Sequence, residues 1–205
     1  MNELLQDKKF RVIVLLLLLL SVLIYSFLYA DYGIKRSETI VNLNSERFAI
    51  NNYSSNIGSD LYLYVEADKE IKPILESEIK SELEKFTNVK SYANLKEKFG
   101  GPVLAIKLIK NKMNYLPFYS NTNMNALVYF SSKGDTTYFE KFKREKLGGE
   151  NVIVQFKSTE GSQLIKKGDL TLRDESYGVF SLKNYKKYVA NKAALRIYND
   201  LENLD

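Results

Sequence analysis

The longest apolar stretch of the chain lies near its N-terminus. No charged residue occurs between Arg11 and Asp31, and the stretch contains the unbroken leucine run 15–20. As a helix, the uncharged residues 12–30 would be about 28 Å long at ~1.5 Å per residue, close to the thickness of a hydrocarbon core. Tyrosine and phenylalanine side chains cluster at its C-terminal end, as they do at membrane interfaces. The pattern therefore predicts a transmembrane helix.

The flanks of this stretch predict its orientation. Three basic residues precede it and two follow it, which favours a cytoplasmic N-terminus. A cleaved signal peptide is the alternative, but Leu28 is a poor small residue for a cleavage site after Ala30. We therefore expect a single-pass protein of the cell membrane with a signal anchor and an extracytoplasmic C-terminal domain. The predicted parts are a cytoplasmic tail at 1–11, the anchor at 12–30, a tether and lead-in segment at 31–59, and the folded domain at 60–205.

A strand and an amphipathic helix open the part of the chain that should fold. Leu61–Val65 is a short apolar and aromatic run, typical of a strand. Beyond it, apolar residues recur every three or four positions, at Ile71, Leu75, Ile79, Leu83 and Phe86. This spacing predicts a helix with one buried face. Proline is tolerated only in the first turn, so Pro73 places the start near residues 69–72.

The remaining patterns predict strands and a closing helix. The expected strands lie at 88–92, 103–109, 126–130, 152–156 and 164–172. Tyr138 and Phe139 should extend a hairpin, and the charged residues 144–150 should form a turn. An apolar stripe at helical spacing marks residues 182–204. Besides the transmembrane helix, the order predicts an α+β fold: a mainly antiparallel sheet with two amphipathic helices on one face.

This element order resembles a known family. Residues 61–86, 103–130 and 152–204 follow the order of the anticodon-binding-domain-like modules of bacterial envelope lipoproteins, of the lipopolysaccharide-assembly lipoprotein type. In the last stretch a strand, the turn STEGSQL, the strand GDLTLRDESYG and the helix YKKYVANKAALRIYNDL succeed one another. The resemblance implies a non-catalytic role in assembling or activating a machine of the envelope. It carries over no functional residue, and this chain lacks the lipidated cysteine of those lipoproteins.

The amino-acid composition excludes several kinds of catalytic and metal-binding site. The 205 residues include no Cys and no His, so disulfides, thiolate metal sites, a Cys nucleophile and the usual general base are absent. Ser77 and Lys80 match a Ser-x-x-Lys pattern, but the Lys-Thr-Gly that accompanies it in penicillin-recognising enzymes is missing. The glutamates around them alternate with lysines, as on a solvated helix face. We expect no catalytic residue, no cofactor, no metal ligand and no enzyme activity.

Basic residues offer a candidate contact with anions. The net charge is +5, and the densest basic set is Lys141, Lys143, Arg144 and Lys146. This set predicts contact with anionic headgroups or an acidic surface polymer, with a plain solvated face as the alternative. Tyr185 and Tyr188 stand between lysines but share the apolar side of the helix pattern, so no nucleic-acid partner is expected. Asn52 begins an Asn-x-Ser pattern and is a candidate for glycosylation.

Two functions follow from these observations. The first is a non-catalytic, membrane-anchored extracytoplasmic assembly or accessory factor that binds another component of the envelope, with the membrane and a protein as partners. The alternative is an exported binding domain for a small molecule or a surface polymer. The alternative requires a concave aromatic pocket, for which Tyr115, Phe118 and Tyr119 around Pro117 are the candidates.

Overall fold

The computed structural model describes residues 8–29, 33–50, 60–149, 152–155 and 162–203. In chain order the elements are α1 (Lys8–Tyr29), β1 (Ile34–Ile50), β2 (Asp60–Glu66), α2 (Lys72–Leu83), β3 (Asn88–Tyr92), β4 (Val103–Leu116), β5 (Tyr119–Ser131), α3 (Thr137–Gly148), β6 (Gln163–Gly178) and α4 (Leu182–Glu202). The α+β class therefore agrees with the sequence prediction.

The six strands form one mixed sheet. Their order is β1-β6-β5-β4-β2-β3, and the pairs among β1, β6, β5 and β4 are antiparallel. Strand β2 is parallel to both of its neighbours, β3 and β4. The prediction of a mainly antiparallel sheet with two helices was wrong. Helix α2 is a crossover that carries the chain back to the end of the sheet where β2 begins, so β3 runs parallel to β2.

Helices cover both faces of the sheet. Helices α2 and α4 pack together on one face, over a core that includes Leu63, Ile79 and Val189. Helix α3 lies on the opposite face, where Phe139 and Phe142 join a second core with Tyr129. The two predicted amphipathic helices thus share a face, and α3 is a further helix on the other one.

Helix α3 replaces a predicted hairpin and turn. Residues 138–139 were expected in a strand and 144–150 in a turn, but 137–148 are helical. The helix ends at Gly149, whose φ of 74° lies in the left-handed region that glycine adopts without strain. Residues 152–155, expected in a strand, belong to no regular element, and Phe156 lies outside the described residues.

The prediction of a transmembrane helix was wrong. Among the described residues, no helix is long and apolar enough to cross a membrane. The predicted signal anchor, and with it the single-pass location in the cell membrane with an extracytoplasmic domain, is not supported.

Strand β1 is the longest strand and forms one edge of the sheet. It comes from the segment that was expected to be a tether and lead-in, and it pairs with β6 from Ile34 opposite Gly178 to Ile50 opposite Gln163. Residues 51–59, which contain the glycosylation candidate Asn52, lie outside the described residues.

Candidate binding face

No described residue covers one half of the sheet face that carries α3. Helix α3 lies over the half around Leu127 and Tyr129, whose side chains are fully buried. Farther along the same strands, Thr171 and Arg173 are exposed and Asn123 is half-buried. We call this uncovered surface the open face. Its residues are Ile40 and Asn42 of β1, Thr171, Arg173 and Glu175 of β6, Asn121, Asn123 and Asn125 of β5, and Lys110, Lys112 and Asn114 of β4.

Strand register arranges these side chains in rows across the sheet. Residues directly opposite each other on neighbouring strands point to the same side. One row runs Asn42, Thr171, Asn125, Lys110, and the next runs Ile40, Arg173, Asn123, Lys112. Each row therefore combines amide or hydroxyl groups, which both donate and accept hydrogen bonds, with a cation at or near one end.

The cations of the open face have no acidic partner. Within the described part of the chain, Lys110, Lys112 and Arg173 form no ion pair, whereas lysines elsewhere pair with acids repeatedly. A hollow of about 580 Å³ is lined by Ile40, Asn42, Lys110, Asn123, Asn125, Thr171 and Arg173. Its lining has two positive charges and no negative one. The hollow can therefore receive an anionic group and hydrogen-bond the atoms around it.

The predicted aromatic pocket does not form. Tyr115 lies on the other side of the sheet, where its hydroxyl donates a hydrogen bond to the carbonyl oxygen of Phe180 at 2.6 Å. Phe118 is exposed at the tip of the β4–β5 hairpin. Tyr119 faces the open side and contacts Tyr177, with ring centroids 5.0 Å apart. The three candidates thus point in three directions, and only Tyr119 borders the open face.

Helix α3 brings the predicted basic set onto one element and pairs much of it. Lys143 pairs with Glu66 at 2.9 Å, and Lys146 pairs with Asp169 at 2.8 Å. The Lys141 ammonium lies 4.8 Å from the ring centroid of Tyr138. Arg144 is exposed. The set is therefore less available to an anion than the sequence indicates, while three basic residues that were not singled out, Lys110, Lys112 and Arg173, are available.

A buried carboxylate supports the open face from below. Asp174 lies in β6 between two open-face residues, and its side chain points to the opposite side, under α4, where it is 2% exposed. It accepts hydrogen bonds from Thr39 Oγ1 at 2.6 Å, Ser176 Oγ at 2.8 Å and the Tyr185 hydroxyl at 2.8 Å. Burial raises the pKa of Tyr185, and the Asp174 carboxylate adds to the effect, so the phenol stays protonated and donates. These bonds tie β1, β6 and α4 together.

A charge cluster joins α3 to the parallel part of the sheet. Glu66 accepts from Lys107 at 2.6 Å and from Lys143 at 2.9 Å. Burial alone would raise the pKa of Glu66, but these two ammonium groups outweigh it and hold the pKa below its ordinary 4.5. Burial would also lower the pKa of Lys143, but its bonds to Glu66 and Glu140 outweigh that effect and raise it above 10.5. The cluster is therefore charged over the whole neutral range.

We expect this cluster to make stability depend on acid pH. Because the folded-state pKa of Glu66 is depressed, its contribution is present above about pH 4.5 and is lost as the pH falls through the folded value. Glu66→Gln should cost about 1 kcal/mol at pH 7. The difference from wild type should shrink as the pH falls below 4.5. Urea unfolding between pH 7 and 3 measures it, and a difference independent of pH would contradict the assignment.

The remaining candidates for catalysis or metal binding do not form a site. Ser77 is exposed on α2, and Lys80 pairs with Glu84 at 3.5 Å. No group of three or more acidic side chains among the described residues is placed to hold a metal ion. The adjacent acids Asp174 and Glu175 both belong to β6 and point to opposite sides of the sheet.

Sequence reasoning missed the open face, although a signal was present. Residues 121–125 and 171–175 alternate polar outward residues with inward residues such as Met124 and Leu172. Such alternation indicates a strand with one solvated face. The alternation does not show that β1, β6, β5 and β4 lie side by side.

Comparisons with known proteins do not identify the family of this chain. No protein-family model matches the chain, and no curated protein matches it. One similar solved structure is a PelC variant dodecamer from Paraburkholderia phytofirmans, with 7% identity and a TM-score of 0.35 over 74% of this chain and 94% of that one. Another is a minor lipoprotein from Acinetobacter baumannii, with 12% identity and a TM-score of 0.31 over 70% and 91%. At these values neither likeness carries an argument about fold or function.

Proposed function

We propose that this chain is a non-enzymatic accessory domain of the cell envelope that binds another envelope component through its open face. The observation that carries the proposal is the uncovered half of a sheet face whose other half is packed under α3. The envelope setting rests on the element order of the sequence. The non-enzymatic character is supported by the absence of His and Cys from the sequence.

The charge of the open face supports binding rather than simple solvation. Several lysines elsewhere in the chain are paired with neighbouring acids, as Lys143 is with Glu66 and Glu140. Lys110, Lys112 and Arg173 lie within one surface and form no ion pair with any described residue, although Glu175 lies in the row next to Arg173. Their mutual repulsion is relieved when an anionic partner approaches, so association is favoured there.

Site-specific photo-crosslinking tests the proposal. A photoreactive amino acid at Asn123, in the middle of the open face, should give an adduct of defined mass in the cells that make the protein. The same amino acid at Ser81, which is exposed on α2, should give none. The Asn123 adduct should disappear when Lys110→Glu and Arg173→Glu are added, because these changes reverse the charge of the hollow.

Two results would overturn the proposal. Equal adducts at Asn123 and Ser81 would mean that contact is unspecific, and no adduct at Asn123 would mean that the open face meets no component. Circular dichroism of the charge-reversed variant provides the folding control, since both changed residues are exposed and should leave the spectrum unaltered.

The 580 Å³ hollow favours a second candidate function, the binding of a small molecule or an acidic surface polymer. Its amides suit hydroxyl groups and its cations suit carboxylates. Polygalacturonate retarding the protein in an affinity gel, with no retardation by neutral dextran, would favour this candidate. An adduct at Asn123 that contains another protein would favour the first.

A further inference from the structure

We infer that the outer edge of β4 takes up an extended segment of a partner protein, with alternating acidic and apolar side chains, as an added strand. The inference rests on the proposed function, for which it names the class of partner. Three observations carry it: a free strand edge, a cavity beside that edge, and unpaired lysines on the other side of the same strand.

The edge is free because β2 is shorter than β4. Strand β2 pairs with β4 from Tyr62 opposite Val103 to Glu66 opposite Lys107, and the chain then leaves the sheet for α2. Beyond Lys107, no described residue makes a backbone hydrogen bond to the outer edge of β4 up to Leu116. At ~3.3 Å per residue this edge is about 30 Å long. Unpaired backbone groups in such a row are a template for another strand.

A cavity next to the edge leaves room for the added strand's side chains. It has a volume of about 470 Å³ and lies between β4, the segment 68–71 and the start of α4. Ile71, Met113 and Leu182 give it apolar walls, and its other walls carry charged side chains: Asp68, Lys69, Glu70 and Lys186. Asn111 also lines it, and the buried side-chain oxygen of Asn111 accepts no hydrogen bond from the described residues. The apolar part of the cavity can therefore receive apolar side chains, and the Asn111 oxygen can accept a hydrogen bond from a donor on the partner.

Alternation along β4 sets the pattern that a partner must match. Asn111, Met113 and Tyr115 point to the cavity side, while Lys110 and Lys112 point to the open face. An added strand alternates in the same way, so every second side chain enters the cavity and the others lie beside the lysines. The first set should be apolar and the second acidic. Main-chain hydrogen bonds supply affinity and the alternate side chains supply specificity.

A second copy of this chain fits the edge poorly. Antiparallel pairing of two β4 edges centred near Asn111 would place Lys110 of one copy opposite Lys112 of the other. Like charges directly opposite each other destabilise a strand pair. A nucleic acid cannot continue the backbone ladder. A protein segment with acidic residues can both hydrogen-bond to the backbone of β4 and pair with its lysines.

Peptide binding to the full-length chain tests the inference. The probe is a fluorescent peptide of about ten residues that alternates Glu and Val, a length that matches a typical strand. We expect saturable binding by fluorescence polarisation and new hydrogen-exchange protection of the amides in 109–115. A peptide of the same sequence with N-methyl groups on alternate residues should not bind, because it cannot complete the ladder. A peptide that alternates Lys and Val should bind at least about tenfold more weakly.

Variants separate the edge from a general charge effect. Lys110→Glu with Lys112→Glu should weaken the acidic peptide at least about tenfold. The matched pair Lys98→Glu with Lys133→Glu, at exposed positions away from β4, should leave the affinity within about twofold. Met113→Asp, which places a charge in the cavity, should abolish binding. Its folding is checked by circular dichroism.

Several results would overturn the inference. Equal binding of the N-methylated peptide would show that the edge is not used. Concentration-dependent dimerisation that competes with the peptide would assign the edge to a second copy. Absence of peptide binding, with the Asn123 adduct still present in cells, would remove the added strand and leave the proposed function standing. If neither peptide binding nor the Asn123 adduct is found, the added strand and the proposed function are both wrong.

Discussion

Replacing Phe139 with alanine should lower the free energy of unfolding by about 4 kcal/mol, within the range for buried aromatic residues. Phe139 is fully buried and attaches α3 to the sheet. Its ring lies 5.7 Å from that of Tyr129 and 6.3 Å from that of Tyr64, centroid to centroid. Truncation removes these ring contacts and leaves a cavity that the surrounding strands cannot fill. Urea denaturation of the two proteins measures the loss.

Leu147→Ala on the same helix is the matched control for Phe139. Leu147 is 66% exposed, so its truncation should change stability by less than about 0.5 kcal/mol. In the Phe139 variant the amides of α3 should also exchange faster, because the helix has lost an anchor. A loss below about 1 kcal/mol would contradict the packing of α3 on the sheet.

The elements most accurately predicted from the sequence were those with a single dominant pattern. The run Leu61–Val65 was expected to be a strand and lies within β2. The apolar spacing from Ile71 was expected to be a helix beginning near residues 69–72, and α2 begins at Lys72 with Pro73 in its first turn. In both cases the local preference and the burial agree, so tertiary structure changes little.

Helix α3 was misread because its local signals conflict. Tyr138 and Phe139 are adjacent aromatics after a Gly-Asp turn, which is typical of a hairpin. The helical signal consists of two buried residues, Phe139 and Phe142, three positions apart among charges. Short helices with so few apolar positions depend on tertiary contacts. Here those contacts come from Tyr129 and other residues of the sheet.

Strand direction could not be read from the sequence. The burial of β2 alternates strictly, which is typical of antiparallel strands with one solvated face. Strand β2 has the same alternation although its neighbours are parallel. Tyr62 and Tyr64 contact aromatic residues at the edge of the second core and therefore stay half-buried. Side-chain periodicity is the same for either direction, so only the connections decide it.

Whether a lysine is available to an anion depends on acids that are distant from it in the sequence. Lys143 belongs to the densest basic set, but Glu66, far away in sequence, neutralises it across the sheet. Lys110 and Arg173 are far apart in the sequence and become neighbours only through the pairing of β4, β5 and β6. Local charge density in the sequence therefore does not show which cations remain unpaired on the folded surface.

Replacing Asp174 with alanine should lower the free energy of unfolding by about 3 kcal/mol. The carboxylate accepts hydrogen bonds from three hydroxyl groups in a buried site, and without it Thr39, Ser176 and Tyr185 lose their common acceptor. The neighbour Glu175 is exposed on the other side of β6, so Glu175→Ala is the matched control and should cost less than about 0.5 kcal/mol. Tyr185→Phe, alone and combined with Asp174→Ala, completes a double-mutant cycle in urea denaturation. Because the phenol and the carboxylate share one bond, the combined loss should be smaller than the sum of the two; strict additivity would show that the bond contributes nothing.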